Sequence, residues 1–501
     1  MTNSGDLRRS NREAGIVAVL LSVLIAAPAA WVYQHGHILD WGDAQAHLNA
    51  SRSLIDSRTP GYDQLGTVWL PILHVICLPL VGNDSFWSNG LAGTIPVAIC
   101  FVMAGMCLYL AAREAYGNSM SAAMVLGCFA LNPNVLYLAA IPMTEIVFLA
   151  GLFAMLLCLL RFRATEERRY LVIGVAASWW MSLTRYDGWF LIPFATLSFA
   201  WFAKKRRWWI LIGFGLAASL APLYWIAHNW WETSNPLDFY NGPYSAAAIQ
   251  GPHDYPGYHH WTTAVRYYFE ASKLCSGLCL IFLGCAGIAC AIGKRIIFPI
   301  AFLSLTPVFY IWSVHSSKLP IHVPSLWPNS YYNNRYGIAV LVLAAFACGA
   351  LALVLPARAK LLGFAAPVLC VMTWVWHASP ETWIIWKESQ VNSVSRREWR
   401  NAAASFLKTN YRPGEGILTG TGDLPGIYCQ ARVPFRETLN IGNGPDWLAA
   451  TSRPDLIHRE RWVLVQDGDF VWQALQRLSS PYRLAWKFEV KGAPALEIYK
   501  R

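Results

Sequence analysis

Two carboxylates, Asp40 and Asp43, lie close together in the polar stretch Ile38–Leu54, which reads ILDWGDAQAHLNASRSL. Gly42 permits a tight turn before the second of them. Small apolar residues then recur at the spacing of one helix face, at Ala46, Ala50 and Leu54. The pattern predicts that Asp43 is the N-cap of a short helix outside a membrane span.

Capping would account for Asp43 but not for its neighbours. A cap needs one acidic or hydroxyl side chain, whereas Asp40, His47 and Arg52 also lie in this stretch. A carboxylate at such a place can instead act as a general base that takes the proton of a hydroxyl or an amine. The rest of the chain decides between these two interpretations.

The composition is that of a polytopic membrane protein. The chain has 501 residues, of which 55% are hydrophobic and 14% charged, and its mean hydropathy is +0.34. Average soluble proteins carry about 25% charged residues. The 25 tryptophans are consistent with aromatic belts at membrane interfaces. Most basic residues lie in short loops between apolar runs, so the net charge of +11 indicates membrane topology rather than a nucleic-acid partner.

The twelve cysteines do not form the spacing of a disulfide framework. All but Cys77 and Cys429 lie inside apolar runs, where thiols behave as small hydrophobic groups. The sequence therefore predicts neither a structural disulfide network nor a zinc cluster.

Basic residues set the predicted orientation of the spans. Arg8, Arg9 and Arg12 precede the first apolar run in the manner of a signal anchor, which places the N-terminus in the cytoplasm. The short run Gly66–Gly82 is predicted to lie along the outer membrane surface. Eleven spans then satisfy the positive-inside rule: Gly15–Tyr33, Gly90–Ala112, Ser119–Ala139, Ile146–Leu160, Tyr170–Leu183, Trp189–Ala203, Trp208–Ala227, Leu274–Ile292, Ile296–Ser313, Tyr336–Leu355 and Leu361–Trp376. Two long outer loops, His228–Ser272 and Val314–Asn334, separate some of them.

Charged residues return after about Pro380, and short apolar segments alternate with helical ones. Helices are predicted near Arg396–Lys408, Asp446–Thr451 and Phe470–Leu478, and strands near Ile417–Gly420, Trp462–Gln466, Arg483–Val490 and Ala495–Tyr499. This alternation predicts a small extracytoplasmic α/β domain that serves acceptor recognition or support. The predicted domains are residues 1–379, which include a first external loop at 34–89, and residues 380–501.

On this topology the outer face collects many polar side chains: Asp40, Asp43, His47, Glu145, Arg185, Asp187, His253, His259, His260, Lys318 and Arg335. Charges at span ends are costly unless they are paired or functional. Several of these residues also have a purely structural explanation. Glu145 can be stabilised by the dipole at a helix N-terminus, and Arg185 and Asp187 can form an ion pair. Arg335 can extend its side chain to the membrane interface. The histidines of the long loop are more often ordinary polar residues than metal ligands. The location of all these polar side chains on one face of the membrane is what indicates function.

Such a face suits group transfer from a lipid phosphate. Asp43 would deprotonate the acceptor, and Glu145 would orient it. Arg185, Arg335 or Lys318 would hold the phosphate leaving group. The apolar helices would supply a groove for the lipid tail.

These residues also resemble the GT-C class of membrane glycosyltransferases, which includes protein O-mannosyltransferase-like and lipid A aminoarabinose-transferase-like enzymes. GDAQAH, with Asp43 and His47, is similar to the acidic motif of their first external loop, although Ala44 stands where members commonly have Glu. Three further motifs match in order and sidedness: Thr144-Glu145, Thr184-Arg185-Tyr186-Asp187-Gly188 and Asn334-Arg335-Tyr336. The resemblance covers roughly residues 15–355.

The resemblance implies an enzyme of the plasma (inner) membrane that moves a sugar, with inversion, from a polyprenyl-phosphate carrier to a lipid, glycan or protein acceptor. The implied catalytic residues are Asp43, Glu145 and Asp40, and a divalent metal is left open as a cofactor. The implied substrate-binding residues are His47, Arg185, Asp187, Arg335 and Tyr336. The polar outer face adds His259, His260 and Lys318 as further candidates for substrate binding.

Two other classes of protein compete with this interpretation. A transporter or flippase for lipid-linked sugars would keep its charged sites near the bilayer midplane, often in repeated halves. Here the polar residues cluster at one face, and the two halves of the chain do not repeat. A structural assembly protein would leave the Asp43 loop without a role.

Overall fold

The computed structural model describes residues 4–356, 363–376, 383–420, 423–457 and 459–501. The chain folds into two compact units. The first comprises Met1–Trp31, Thr67–Ile72 and Val97–Glu388, and the second comprises Val32–Gly66, Leu73–Pro96 and Ser389–Arg501. The predicted domain boundary at 379/380 lies outside the described residues and stays a prediction.

Helices make up most of both units. From the N-terminus to the middle of the chain they are α1 (Ser4–Gln34), α2 (Gly42–Ser53), α3 (Ile72–Val81), α4 (Asp84–Asn89), α5 (Leu91–Tyr116), α6 (Ser119–Ala130), α7 (Pro133–Ala139), α8 (Thr144–Thr165), α9 (Arg168–Ser182), α10 (Asp187–Phe202) and α11 (Arg207–Thr233). The others are α12 (Asp238–Asn241), α13 (Ala246–Gln250), α14 (Trp261–Ser276), α15 (Leu278–Gly293), α16 (Ile297–Ser316), α17 (Ile338–Cys348), α18 (Ala365–Trp376), α19 (Ile384–Asn410), α20 (Pro425–Ala431), α21 (Gly444–Ser452) and α22 (Phe470–Arg477). Short 3₁₀ turns at Asn334–Gly337 and Gly349–Leu353 extend α17 at both ends.

Six helical segments of the described chain are long and apolar enough to cross a membrane, and two bent pairs raise this number to eight. The bent pairs are α6 with α7, at 71°, and α14 with α15, at 105°. The protein is therefore a multi-pass membrane protein, as its composition predicts. Helices lie at every predicted span, but α9, α10 and α18 have 15, 16 and 12 residues, fewer than the roughly 20 that a span needs. The predicted count of eleven is thus not confirmed, and residues 361–362 of the last predicted span lie outside the described chain.

The segment predicted to be a loop at His228–Ser272 is largely helical. It contains α12 and α13 and most of α14. α14 ends at Gly277, whose φ of +76° is a left-handed conformation that favours glycine and breaks the helix. The predicted span Leu274–Ile292 is therefore the end of one helix and almost the whole of the next.

Glycines bring two helices of the first unit close together. A Cβ atom on Gly287 would collide with the carbonyl oxygen of Ala347, and one on Gly284 would lie 2.7 Å from the Cβ of Ala344. Small residues at such interfaces allow membrane helices to pack backbone to backbone. α15 therefore packs tightly against α17, the helix that follows the Asn-Arg-Tyr motif.

The second unit contains a five-stranded sheet of order β2-β1-β3-β5-β4, formed by Ile417–Thr419 (β1), Thr438–Leu439 (β2), Trp462–Gln466 (β3), Arg483–Phe488 (β4) and Leu496–Lys500 (β5). β1 is parallel to β2 and β3, whereas β5 is antiparallel to β3 and β4. The sheet confirms the prediction of a small C-terminal α/β fold. β2 and α20 are additional elements that the sequence patterns do not predict.

The hydrophobic core of this second unit also includes residues of α2 and α4, from the N-terminal part of the chain. Leu48 of α2 and Trp87 of α4 are buried together with Trp399 of α19, Tyr428 of α20 and Trp462 of β3. Burial of such large side chains stabilises the folded state by roughly 1.5–3 kcal/mol each. The helix that carries Asp43 is therefore held by the same core as the C-terminal sheet.

Candidate active site

Asp43 lies in the first turn of α2 and is half-buried. The prediction that it is the N-cap is wrong, because Trp41 occupies that position with extended backbone and the helix begins at Gly42. A Cβ atom on Gly42 would lie 2.8 Å from a guanidinium nitrogen of Arg396 in α19, so glycine makes room for that arginine. The first turn remains a favourable place for an anion because the helix dipole is positive there.

Asp40 is buried, with a side chain only 1% exposed. It accepts a hydrogen bond from Nδ1 of His37 at 2.8 Å and another from Gln390, and Arg397 lies 3.5 Å from its other oxygen. Arg396 donates to its main-chain carbonyl. These contacts connect the loop before α2 to α19 within the second unit. Asp40 therefore holds the start of α2, the helix that carries Asp43, in place.

His47 lies on the buried face of α2 and faces a second histidine. Its Nδ1 lies 3.0 Å from Nε2 of His74 in α3, and both side chains are buried. Burial lowers the pKa of His74 well below its usual range, and the nearby His47 lowers it further. The His74 imidazole therefore stays neutral near neutral pH and can share one hydrogen bond with His47.

We expect the His74 imidazole to make folding sensitive to acid. Its pKa is near 6.5 in the unfolded chain and lower in the folded protein, so the unfolded state binds a proton that the folded state does not as the pH falls below about 6.5. Stability is complete above that pH and is lost below it, by at most about 1.4 kcal/mol per pH unit. Thermal unfolding of wild type and His74→Gln between pH 5 and 8 should show a shallower acid decline in the variant. Parallel declines would contradict a role for His74.

In the first unit, Glu145 organises the second group of predicted residues. Its side chain is 3% exposed and lies 2.9 Å from Nη1 of Arg185 and 3.0 Å from Nε of Arg335. Arg185 also donates to the hydroxyl of Thr144 at 2.8 Å and to that of Tyr310 at 3.1 Å. Glu145 thus fixes two guanidinium groups that come from different parts of the chain.

Asp187 and Tyr336 complete this group. Asp187, the first residue of α10, accepts a hydrogen bond from the Tyr310 hydroxyl at 2.7 Å and lies 3.4 Å from Nε of Arg185. Tyr336 stacks on Tyr310 with 4.8 Å between ring centroids, and Arg185 and Arg335 lie 5.4 Å and 5.5 Å from the Tyr336 ring. The structure therefore brings together five predicted residues, and Tyr310, which lies within an apolar helix and gives no sequence signal, joins them.

Glu388 is a second residue that sequence reasoning missed. It is fully buried, and its carboxylate accepts hydrogen bonds from the backbone N–H groups of Asn333 and Asn334 at 2.7 and 3.0 Å and from the Asn334 side chain at 2.8 Å. Burial raises its pKa, and the charge of Arg335 opposes that rise. Glu388 therefore holds the turn that presents Arg335 to Glu145.

Lys318, His259 and His260 lie in a different set of contacts. Lys318 donates to the carbonyl of Gly251 at 2.8 Å and lies 5.8 Å from the Tyr258 ring. The His259 ring packs against Tyr258 at 3.9 Å between centroids, and His260 precedes α14 as its N-cap residue. The described contacts do not link these three residues to Glu145.

A narrow cavity adjoins Glu145 and Arg185. Its volume is about 10 Å³, which is space for about one water molecule. Its other walls are mostly apolar: Phe148, Leu149, Leu152, Leu303, Ile338 and Val342. The cavity therefore has a charged end and apolar walls, and it is too small to hold a lipid-linked ligand as it stands.

A divalent metal would need several ligand side chains at one place in the folded chain. In the part of the chain that the structure describes, no three or more His, Cys, Asp and Glu side chains are arranged to hold a metal ion. Asp40 and Glu145 contact nitrogen donors instead. The described residues of either unit therefore do not form a metal site by themselves.

Both a protein-family model and solved structures of other proteins are similar to this chain. Residues 81–231 match the family model described as dolichyl-phosphate-mannose-protein mannosyltransferase. Among solved structures, ArnT from Cupriavidus metallidurans bound to undecaprenyl phosphate has a TM-score of 0.60 at 13% identity, covering 95% of this chain and 97% of its own. The apo oligosaccharyltransferase of Archaeoglobus fulgidus has a TM-score of 0.50 at 13% identity, covering 90% of this chain and 69% of its own.

No curated protein matches the sequence. The family model and both folds belong to glycosyltransferases, and they confirm the prediction made from the motifs. The chain is thus similar, in fold and in its matched segment, to the membrane glycosyltransferases of the GT-C class.

Proposed function

We propose that this protein transfers a sugar, with inversion, from a polyprenyl-phosphate donor to an extracytoplasmic acceptor, with Asp43 as the general base. This assignment rests on a difference in burial among the candidate residues near the start of α2. Asp40 and His47 are buried, whereas Asp43 is half-buried in the first turn of α2. Of these three, Asp43 is the side chain that an acceptor can reach.

The proposed reaction is a single displacement. Asp43 takes the proton of an acceptor hydroxyl or amine as the acceptor oxygen or nitrogen attacks the anomeric carbon. The bond from that carbon to the phosphate oxygen breaks on the opposite side, which inverts the configuration. The polyprenyl phosphate leaves with the bonding electrons, and the sugar stays on the acceptor.

Cations must stabilise the phosphate as it leaves. Undecaprenyl phosphate is bound to the ArnT whose fold this chain shares, and we propose the same class of carrier here. Arg185 and Arg335 are the proposed phosphate ligands, and Lys318, which lies in a separate set of contacts, is the alternative. Glu145 orders two of these groups through its two ion pairs, so we assign it to pre-organising the arginines rather than to the acceptor.

The C-terminal domain is proposed to support the base. Within the second unit, Arg400 of α19 donates to the side chain of Gln45, and the Gln45 amide donates to the carbonyl of Gly426 at 3.4 Å. Both contacts hold the helix turn that follows Asp43. His259 and His260 remain proposed substrate-binding residues. His47 is buried against His74, so it is proposed to hold α2 in place rather than to contact the substrate.

The enzyme is proposed to lie in the plasma (inner) membrane with a cytoplasmic N-terminus and an outward-facing site. A transporter of lipid-linked sugars is not favoured, because the family model and the solved structures of similar fold are transferases. Lipid, glycan and protein are all open as acceptors.

The test follows the fate of the carrier. Purified protein in detergent would receive a panel of radiolabelled polyprenyl-phosphate sugars with candidate acceptors, with and without a chelator. We expect release of polyprenyl phosphate together with labelled acceptor, and chelator sensitivity would add a metal requirement. In vesicles that contain the reconstituted protein, movement of the intact donor across the membrane without release would overturn the proposal in favour of a transporter.

A further inference from the structure

A second, larger groove lies in the first unit, between α10 and α16, with a volume of about 530 Å³. Two guanidinium groups, those of Arg163 and Arg295, line it together with apolar side chains that include Trp201, Phe298 and Leu305. Ligand sites typically occupy about 300–1,000 Å³. The groove therefore has the size and the mixed lining of a site for an amphipathic ligand.

The groove carries net positive charge. Arg163 lies 5.3 Å from the ring of Phe202, which also lines the groove, and Arg163 and Arg295 are both exposed. The acids nearest to Arg163 in sequence are already engaged: Glu166 pairs with Lys204 at 3.0 Å and Glu167 pairs with Arg169 at 2.7 Å. Neither groove arginine forms an ion pair within the described chain, so the charge is available to an anionic ligand.

Helix geometry separates this groove from the proposed active site. Glu145 lies in the first turn of α8 and Arg163 in its last turn. At about 1.5 Å per residue, this separation places them about 27 Å apart along one helix, close to the thickness of the hydrocarbon core of a bilayer. Arg163 therefore lies at the opposite membrane face from Glu145.

We propose that this groove binds one anionic phospholipid of the surrounding membrane. The two guanidinium groups would hold the headgroup phosphate, since Arg matches phosphate oxygens with paired N–H donors. The aromatic and aliphatic wall would cover the acyl chains. Basic pockets between membrane helices on the cytoplasmic side bind lipids of this kind, and the predicted topology places Arg163 and Arg295 on that side. The site is independent of the proposed sugar transfer.

Native mass spectrometry of the full chain tests the site. Protein purified in mild detergent would be titrated with phosphatidylglycerol, with phosphatidylcholine as the uncharged comparison. We expect one tightly held phosphatidylglycerol in wild type. Because the loss of one charge-assisted contact should weaken binding about tenfold, Arg163→Gln/Arg295→Gln, which loses two, should show about a hundredfold loss of apparent affinity. The matched control Arg168→Gln/Arg169→Gln removes two exposed arginines that do not line the groove and should bind as wild type does.

Three outcomes would overturn the proposal: equal binding of both lipids, unchanged binding in the groove variant, or selective displacement of phosphatidylglycerol by free polyprenyl phosphate. The last would make the groove a carrier site instead. If the double variant does not fold, Arg295→Gln alone replaces it and should show the same loss in smaller measure. Sugar-transfer activity measured on the same samples separates failure of this site from failure of the proposed reaction.

Discussion

Asp43→Asn is expected to abolish sugar transfer while the protein still folds. The amide has nearly the shape of the carboxylate but cannot take a proton from the acceptor, and loss of general-base catalysis typically costs about 10²–10⁴-fold in rate. Because Asp43 is half-buried and does not cap α2 through its side chain, the change should cost little stability. Release of polyprenyl phosphate under saturating donor measures the rate, and the unfolding midpoint measures the stability.

Asp63→Asn is the matched control for that experiment. Asp63 lies further along the same connection between α2 and α3, in the 3₁₀ turn Tyr62–Leu65, and is exposed, so the same chemical change there should leave transfer unaltered. Asp40→Asn should behave differently from both, because Asp40 is buried among His37, Gln390 and Arg397. It should lower stability as well as rate. Full activity of Asp43→Asn would refute the assignment of the base.

Much of the fold follows from local patterns in the sequence. The predicted bounds of β3 agree with the observed ones, and those of β1, β4 and β5 agree to within two residues at each end, because short apolar runs between polar turns are typical of buried strands. β2 has two residues, too few for any periodicity to mark. α14 escapes prediction because WTTAVRYYFEASKLCS is rich in polar residues, and its apolar face is defined by packing against other helices.

The sequence predicts mainly those residues of the candidate site that are charged and lie at the ends of predicted spans. Glu145, Arg185 and Arg335 are costly at span ends, so each is a candidate from sequence alone, and the structure places them in contact. Tyr310 and Glu388 cannot be found in this way. Tyr310 lies in an apolar run, where nothing distinguishes it from its neighbours. Glu388 is one acid of a polar helix, and the asparagines that it binds are 54 and 55 positions away in the sequence.

Glu145→Gln is expected to damage both stability and transfer. The change removes the carboxylate that both Arg185 and Arg335 contact, and breaking one partner of a buried ion pair costs on the order of 3–5 kcal/mol. Disordered guanidinium groups would then hold the donor phosphate poorly. We expect a lower unfolding midpoint, a raised KM for the donor and a lower rate of release.

A double variant separates the loss of the pair from the loss of the charge. Glu145→Gln/Arg335→Gln removes one cation together with the anion, so it should be less destabilised than the sum of the two single variants, since residues in direct contact are coupled. Glu167→Gln breaks the exposed pair with Arg169 and should change stability by less than about 1 kcal/mol. Additive single variants would show that Glu145 and Arg335 act independently. A Glu145→Gln protein with wild-type stability, an unchanged KM for the donor and full transfer would contradict the role of this carboxylate in ordering the two arginines.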